Sequence, residues 1–532
     1  MNIKLLDCTL RDGGYVNDWE FGRSCIQYII QRLLMSKIDI IEVGFINENR
    51  PFDINRTIFP DTHSVNRAYN KYDKKNTKFF GMIDYGTCGI NKVQSQSETC
   101  LDGIRIIFKK NNMHNAIQLG RELKSKGYLV ALQLVSVTSY TDKDLLEFCD
   151  EVNDIEPYAV GIVDTYGLMH KEQAKHYFEL LDYNLKPDIA IGYHSHNNFQ
   201  LAYSNSIEML EMNTKRDIIL DGSAYGMGKS AGNTPTELLA MHVNDIVEKR
   251  YDVDQILEII DACILPIYQK KKWGYNLLYY LAASNDCHPN YIEYLLAKKT
   301  LSVKAVNEIV EKIRADKKLN YDHRYIEKVY LEYQAIEVED ESVVELLKSK
   351  YGNKDVLLLA PGRSVSSEKE KIQKYMTENN PAVIAVNFIP EQYEVDGIFI
   401  GNAKRYGTLT YQLNMVKGNV DVMITSNINR INNKEVYVLN IDKLMDKREA
   451  IQDISTAMIL NLLVLIGTNN IVMAGFDGYS SKMENSYCGE CLPMDSNLEH
   501  CERVNKEMAQ KIKKLREKIS IQFLTSSKYE EL

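Results

Sequence analysis

Short apolar runs recur through the first 221 residues of the chain, and segments with a helical pattern separate them. Eight of these runs are mostly apolar along their whole length, which is typical of strands buried on both faces. They predict strands at residues 3–8, 38–44, 78–84, 103–108, 128–135, 159–163, 189–194 and 217–221. Apolar residues three and four positions apart predict helices between the strands, for example over residues 22–36, 115–126, 142–153 and 171–181.

Eight strands that alternate with helices predict an α/β fold, with an N-terminal (β/α)8 TIM barrel. A doubly wound sheet is the alternative, but it should carry a glycine-rich phosphate loop after an early strand, and Gly13-Gly14 does not fit that pattern. Polar residues stand near the carboxyl ends of the strands, the face that carries the chemistry in such barrels. These residues are Arg11, Asp12, Glu42, Asp84, Gln133, Asp164, Thr165, His194, His196 and Asp221. Among them we predict that Gln133, Asp164 and Thr165 bind the substrate.

Two further regions follow the barrel, which we place at residues 1–250. Residues 251–345 have a helical pattern rich in tyrosine and leucine and predict a helical extension. Residues 350–532 return to alternating strands and helices, so we expect a Rossmann-like α/β domain. Its predicted strands are at residues 355–360, 382–388, 397–400, 420–424, 435–439 and 471–474.

Composition limits the classes of partner. The chain has 532 residues, 45% of them hydrophobic, which is too long for one core. The net charge of -9 gives no support for nucleic acid or an anionic membrane as a partner. We find no signal-peptide pattern at the N-terminus, and the longest apolar run, at 457–466, is too short to span a bilayer. The ten cysteines are mostly isolated. We therefore expect a cytoplasmic protein with reduced cysteines that acts on small molecules as a homo-oligomer, without a membrane or nucleic acid.

His194-Ser195-His196 suggests a metal site. Residues two apart on a strand point to the same side, so both imidazoles enter one space. Alone, this motif fits two exposed histidines equally well. In a closed barrel of eight strands, however, the first and seventh strands are near neighbours, which brings Asp12 close to the histidines. One carboxylate and two imidazoles suit Mn²⁺, Mg²⁺, Co²⁺ or Zn²⁺. Arg11 would then place a permanent positive charge beside an enolate, although a plain Arg11–Asp12 salt bridge is the simpler interpretation.

Three separated segments resemble the DRE-TIM metallolyase superfamily, and the resemblance covers roughly residues 1–245. They are Asp7-Cys8-Thr9-Leu10-Arg11-Asp12-Gly13, His194-Ser195-His196-Asn197 and Gly226-Met227-Gly228-Lys229-Ser230-Ala231-Gly232-Asn233. The superfamily includes 3-hydroxy-3-methylglutaryl-CoA lyase, isopropylmalate and homocitrate synthases, and 4-hydroxy-2-oxovalerate aldolase.

The resemblance implies a role for each matching residue. Asp12, His194 and His196 match the metal ligands, and Asn233 matches an asparagine that is a fourth ligand in some members and lies outside the ligand set in others. Arg11 matches the arginine that stabilises the enolate. Glu42 matches an acid near the site, expected to orient Arg11.

Tyr15 departs from the related sequences. The similar synthases follow Arg-Asp-Gly with Glu-Gln, whereas this chain has Gly14-Tyr15. The similar aldolases carry a small residue and then a catalytic histidine, so this chain is closer to the aldolase branch, with a phenol in place of the imidazole. A tyrosine with an ordinary pKa of about 10 is poorly matched to neutral pH. Either its pKa is shifted, or Tyr15 only orients the substrate and a metal-bound water moves the proton.

These observations predict a lyase that cleaves or forms a 4-hydroxy-2-oxo acid from pyruvate and an aldehyde, with Mn²⁺ the favoured metal. A Claisen-type synthase that joins an acyl-CoA to a 2-oxo acid is the first alternative. The second is a bifunctional protein of surface-polysaccharide biosynthesis, whose C-terminal domain handles a nucleotide sugar.

Two motifs lie in the C-terminal region. The loop Pro361-Gly362-Arg363-Ser364 follows a predicted strand and fits either a phosphate site or an ordinary strand-to-helix turn. Cys488 and Cys491, with His500 and Cys501, fit either a zinc site or reduced loop cysteines.

Overall fold

The computed structural model describes residues 2–247, 249–298, 300–318, 321–335, 338–416, 418–428, 435–480 and 498–531. The chain divides into two compact units, Met1–Pro289 and Asn290–Leu532. The boundary falls inside the segment 251–345, for which the sequence predicts a helical extension, and the helices of that segment are shared between the two units. None of the helices in the described part of the chain is long and apolar enough to cross a membrane.

The first unit contains a closed parallel barrel. Its strands are β1 Ile3–Asp7, β2 Ile40–Ile46, β3 Ile58–Phe59, β4 Lys78–Asp84, β5 Gly103–Phe108, β6 Leu129–Leu134, β7 Ala159–Asp164, β8 Ala190–Ser195 and β9 Ile218–Gly222. β1 pairs with both β9 and β2, which closes the barrel, and the short β3 pairs with the carboxyl end of β2. This confirms the eight-strand barrel. The two-residue β3 was not predicted, because its length is below what a pattern of alternation can reveal.

Along each strand, side chains alternate between the interior of the barrel and the core between the strands and the helices. On β8, Ile191 and Tyr193 pack in the core between strands and helices, whereas Ala190 lies with apolar residues of the interior. His194 is two and four residues from Gly192 and Ala190, so it faces the same interior. The buried strands therefore carry apolar residues outward and place selected polar residues inside the barrel.

Helices surround the barrel and extend it. The α-helices of this unit are Gly14–Asn17, Arg23–Met35, Thr62–Tyr69, Met113–Ser125, Asp142–Ile155, Lys171–Asn184, Ala202–Leu210, Thr236–Ile246, Val253–Ile259, Leu265–Lys270 and Leu277–Ser284. Single turns of 3-10 helix are at Ile90–Lys92, Gln96–Glu98, Lys110–Asn112, Val137–Ser139 and Ala224–Gly226, and Ile260–Ile264 is a π-helix. The Val253–Ile259 helix packs on Arg23–Met35, where Arg32 donates to Gln255 at 2.7 Å.

The second unit is built on an open parallel sheet. Its strands are β10 Asp355–Leu359, β11 Ala382–Val386, β12 Gly397–Ile400, β13 Asp421–Thr425, β14 Tyr437–Leu439, β15 Asn470–Ala474 and β16 Ser520–Phe523. Their order is β14-β13-β12-β11-β10-β15-β16, so the direction of winding reverses between β10 and β15. That reversal is the mark of a doubly wound sheet. β16, near the C-terminus, was not among the predicted strands.

The helices of the second unit are Pro289–Ala297, Val303–Glu311, Ala315–Lys318, His323–Gln334, Glu341–Tyr351, Ser364–Ser367, Lys369–Asn379, Ala403–Met415, Ile441–Leu444, Ser455–Leu465, Leu498–Leu515 and Lys528–Glu531, with a 3-10 turn at Glu449–Ile451. The helices before β10 are tied to the sheet domain by polar contacts. Thr300 and Tyr330 both donate to Asp453, at 2.7 and 3.0 Å.

Candidate metal centre and its cavity

Asp12, His194 and His196 converge at the carboxyl end of the barrel. One ligand atom from each lies within 4.8 Å of the others, and all three residues are buried. Asp12 sits in the turn after β1, where its backbone N–H donates to the carbonyl of Cys8 at 2.8 Å. The turn and the strand end of β8 therefore meet as the closed barrel requires.

Each of the two histidines uses its Nδ1 atom to contact the protein. Nδ1 of His194 is 3.0 Å from the Asp221 carboxylate, and Nδ1 of His196 is 3.2 Å from the carbonyl oxygen of Gly232. Such contacts fix the tautomer that carries a proton on Nδ1 and leave Nε2 as the ligand atom. Burial lowers the pKa of His196 to about 4, so this imidazole is neutral at neutral pH and able to bind a cation.

Asn233 and the loop before it hold Asp12, the third candidate ligand. The Asn233 amide donates to Oδ2 of Asp12 at 2.8 Å, and the Lys229 backbone N–H donates to the same oxygen at 3.1 Å. Burial raises the pKa of Asp12, but Arg11 outweighs burial and the pKa is lowered overall, so the carboxylate is ionised. Oδ1 of Asn233 is buried and accepts no hydrogen bond from the residues described. An ionised carboxylate, two imidazoles and this spare amide oxygen fit a divalent metal.

Buried charges of alternating sign surround the ligands. Arg11 donates to Oδ1 of Asp12 at 2.5 Å and to Glu42 at 2.6 Å. Arg105 donates to the other oxygen of Glu42 at 3.1 Å and to the carboxylate of Asp221, which in turn contacts His194. Burial raises the pKa of Asp221, but the neighbouring Arg105 outweighs burial and lowers it overall. The chain of charges thus links Arg11 to His194 through one more arginine.

Sequence analysis missed Arg105. The residue lies on β5, whose sequence Gly-Ile-Arg-Ile-Ile-Phe is otherwise apolar, and a lone arginine in a strand buried on both faces is a signal that could have found it. Asp221 was noted as a polar strand end, but its pairing with His194 depends on contacts between distant segments. The guanidinium of Arg105 also donates to Oε1 of Gln133 at 3.0 Å.

The cavity above these residues is open to solvent, and together with the solvent at its mouth it comprises about 450 Å³. It is lined by Arg11, Asp12, Tyr15, Met82, Arg105, Ile107, Gln133, Val135, Val163, Thr165, His194, His196 and Lys229. Gly161 opens room within the barrel, since a Cβ atom there would lie 1.9 Å from Oε1 of Gln133.

The three predicted substrate-binding residues are placed differently. Gln133 and Thr165 line the cavity, and the hydroxyl of Thr165 also accepts from the Ser136 backbone N–H at 2.7 Å. The Asp164 carboxylate points into the following loop, where it accepts from the backbone N–H groups of Leu168 and Met169 at 2.9 and 3.1 Å. Burial raises the pKa of Asp164 to about 6.

Tyr15 lines the mouth of the cavity within an aromatic group. Its ring centroid lies 4.9 Å from that of Trp19 and 6.0 Å from that of Phe45, and Nζ of Lys229 is 5.6 Å from the Tyr15 centroid. The indole N–H of Trp19 donates to the Arg11 carbonyl at 2.8 Å, which ties this group to the turn that bears Asp12. Burial raises the pKa of Tyr15, so its hydroxyl keeps its proton at neutral pH.

The predicted cysteine cluster cannot be placed as a whole. Cys488 and Cys491 lie outside the described residues. Cys501 is buried in the Leu498–Leu515 helix.

The predicted phosphate loop of the second unit carries polar side chains that bond to one another. The Ser364 backbone N–H donates to Oδ2 of Asp477 at 2.9 Å, and the Ser364 hydroxyl contacts Oδ1 of Asp477 and, at 2.8 Å, the Thr525 hydroxyl. Asp477 thus accepts from the Ser364 backbone N–H and hydroxyl, which favours an ordinary strand-to-helix turn.

Comparison with known proteins gives a family match for the barrel. Residues 2–262 match the model of a family described as HMGL-like. The chain is 26% identical over 237 residues to an oxaloacetate decarboxylase of Mycobacterium tuberculosis, covering 44% of this chain and 68% of that protein. It is 27% identical over 267 residues to 4-hydroxy-2-oxovalerate aldolase 2 of Salinispora arenicola, covering 49% of this chain and 74% of that protein.

Among solved structures, the chain is similar to the HMG-CoA lyase of Bacillus subtilis. The sequence identity is 15% and the TM-score is 0.40, with 51% of this chain and 94% of that chain covered.

Proposed function

We propose, on the premise that residues 2–262 belong to the HMGL-like family, that this unit is a metal-dependent aldolase. It would join pyruvate to an aldehyde, or cleave the resulting 4-hydroxy-2-oxo acid. The observation that carries the proposal is the convergence of Asp12, His194 and His196 beside Arg11. Nδ1 of each histidine contacts an oxygen of the protein, which leaves Nε2 available to a metal.

A divalent metal held by these three residues, with Mn²⁺ as our first choice, would act as a Lewis acid toward the carboxylate and keto oxygens of pyruvate. Arg11 contributes a fixed positive charge near the developing enolate oxygen. Glu42 and Asp12 hold the guanidinium at two of its nitrogens, so little reorganisation is needed when charge develops. Asn233 orients Asp12 through its amide.

Tyr15 is our candidate for the residue that donates a proton to the aldehyde oxygen. In the addition direction, C3 of the pyruvate enolate forms a bond to the aldehyde carbon, and the former carbonyl oxygen takes up one proton. The phenol is protonated at neutral pH at its ordinary pKa of about 10, and burial raises that pKa further, so Tyr15 is not a ready base. The protonated hydroxyl can donate to the alkoxide that forms in the addition, and this is the role that we propose for it.

The test is proton exchange at the methyl group of pyruvate. The protein is loaded with Mn²⁺, freed of excess metal and mixed with pyruvate in D₂O, and deuterium incorporation in the recovered pyruvate is followed by mass spectrometry. We expect exchange that depends on the metal. Absence of exchange, together with thiol release from acetyl-CoA and a 2-oxo acid, would replace the aldolase with a Claisen-type synthase.

One relative favours a second candidate reaction. The protein from M. tuberculosis is named an oxaloacetate decarboxylase. Loss of CO₂ from oxaloacetate leaves an electron pair on C3 and so forms the same pyruvate enolate that Arg11 would stabilise. Comparing CO₂ release from oxaloacetate with aldol cleavage of 4-hydroxy-2-oxovalerate, at equal enzyme concentration, decides between the two reactions.

A further inference from the structure

We propose that Lys229 binds an anionic group, a carboxylate or a phosphate, carried by the aldehyde partner. The inference rests on the proposed aldolase function and adds the chemical class of the second substrate. The aldehyde would reach the enolate with its carbonyl carbon and be held at its far end by the ammonium group.

The backbone fixes Lys229 at the edge of the metal site. Its N–H donates to Oδ2 of Asp12 at 3.1 Å. A Cβ atom on the preceding residue, Gly228, would lie 2.5 Å from that oxygen and 2.3 Å from the amide nitrogen of Asn233. The glycine therefore allows the loop to approach the ligand residues closely, and Lys229 starts from a defined position beside them.

In the described part of the chain, the ammonium group of Lys229 is a cation of the cavity with no carboxylate within ion-pair distance. Arg11 is paired with Asp12 and Glu42, and Arg105 is paired with Glu42 and Asp221. Lys229 lines the same cavity, is half-buried, and forms no ion pair with any residue in the described ranges; its side-chain contact is the Tyr15 ring. A partly desolvated cation without a counter-ion is a position where an anionic ligand group gains most.

Charges of both signs lie near Lys229. Burial lowers the pKa of Lys229, Asp12 and Asp84 raise it, and Lys109 and Arg11 lower it. Asp12 is itself paired with Arg11. The neighbouring charges therefore balance, and the described residues place no acid within ion-pair distance of the Lys229 ammonium.

Part of the cavity wall is apolar. Met82, Ile107, Val135 and Val163 line this part and offer no side-chain donor to an anion, and the uncharged polar residues of the lining carry no positive charge. An anionic aldehyde would therefore direct its charged end to Lys229, while an uncharged chain could lie along the aliphatic wall.

The test compares aldehydes that differ only in the charged group. Succinic semialdehyde is paired with butanal for a carboxylate, and D-glyceraldehyde 3-phosphate with D-glyceraldehyde for a phosphate. With pyruvate saturating, kcat/KM for each aldehyde is measured in the metal-loaded full chain and in two variants. Lys229→Met removes the charge at similar length, and Lys229→Arg retains it.

We expect the full chain to prefer the anionic member of at least one pair, and the preferred pair identifies carboxylate or phosphate. Lys229→Met should lower kcat/KM for that anionic aldehyde by about 10- to 100-fold, the range for a charge-assisted hydrogen bond, and lower that for its neutral partner far less. Lys229→Arg should recover most of the loss.

Three outcomes overturn the inference. An unmodified chain that shows no preference for either anion excludes it. Equal losses for charged and neutral aldehydes in Lys229→Met, with a raised KM for pyruvate, would assign the ammonium to the carboxylate of pyruvate. If the full chain also fails to exchange the methyl protons of pyruvate, the aldolase function itself falls. Exchange without a preference for anions removes only the role of Lys229.

Discussion

The two parallel sheets of this chain both carry polar residues at the carboxyl ends of their strands, but the residues at those ends contact different partners. In the barrel, His194 and His196 keep Nε2 available, and the buried Oδ1 of Asn233 has no partner among the residues described. In the open sheet, Ser364 and Asp477 bond to each other at the strand ends. A polar strand end thus marks a site only when the neighbouring groups leave part of it unsatisfied.

The same contrast holds for charge. The barrel buries two arginines among three carboxylates, and Lys229 remains without an acidic partner in the described part of the chain. Buried ion pairs add little net stability, because desolvation offsets their attraction. Their arrangement around a cavity is therefore better explained by the need to orient groups for a ligand than by folding.

The largest effect should come from Asp12→Ala. Loss of a metal ligand should lower the rate of pyruvate methyl exchange by more than about 10³-fold and reduce bound Mn²⁺ measured by mass spectrometry. The matched control is Asp477→Ala, at a strand end of the open sheet, which should leave exchange and bound metal unchanged. Exchange that survives in Asp12→Ala contradicts the assigned metal site.

Arg105→Met tests the buried charges. The substitution leaves Glu42 with only one arginine and Asp221 with none, so we expect a loss of about 3–5 kcal/mol of stability in urea unfolding. Arg50→Met, which removes an exposed pair with Asp18, should cost at most about 1 kcal/mol. Similar losses in the two variants would show that Arg105 is not the link between these carboxylates.

Ser364→Ala tests the open sheet. It removes the hydroxyl that contacts Asp477 and Thr525, and we expect a cost of about 1–2 kcal/mol in the unfolding of the second unit. Pyruvate exchange should be unchanged, because the barrel holds the proposed chemistry. A fall in exchange without a loss of stability would assign this loop a role in the reaction.

The smallest effect concerns pH. The folded pKa of Asp164 is raised to about 6, so the protonated form favours folding: the contribution is complete below the unfolded pKa of about 3.8 and is lost as pH rises through about 6. From pH 7 to 5, the native chain should therefore gain about 1 kcal/mol of stability relative to Asp164→Asn. If the urea midpoints of the unmodified chain and of Asp164→Asn change equally with pH, the raised pKa of Asp164 is refuted.

The sequence predicted the barrel because each strand is a short apolar run that can be recognised from the local sequence. Each of the eight predicted strands begins and ends within two residues of the observed strand. The meeting of Asp12 with the histidines followed from barrel closure alone. The two-residue β3 is too short to show such a pattern, and β16 was not among the predicted strands.

Pairings across the barrel interior could not be predicted in the same way. The contact of Arg105 with Asp221 joins residues 116 positions apart, and nothing near either residue indicates its partner. Similarly, the sequence shows Lys229 in a glycine-rich loop but not the distribution of the other charges. The pKa of Tyr15 depends on burial, which the motif alone does not reveal.

The indole of Trp19, which donates to the Arg11 carbonyl, has a practical consequence. The sequence contains two tryptophans. The second, Trp273, donates to the carbonyl of Tyr225 at 3.0 Å, and its ring lies 3.0 Å from where a Cβ atom of Gly232 would stand, in the loop that leads to Asn233. Excitation at the red edge of the protein absorption band therefore selects two fluorophores that contact the segments bearing Asp12 and Asn233. The intrinsic tryptophan emission is thus a label-free optical probe of the candidate metal centre.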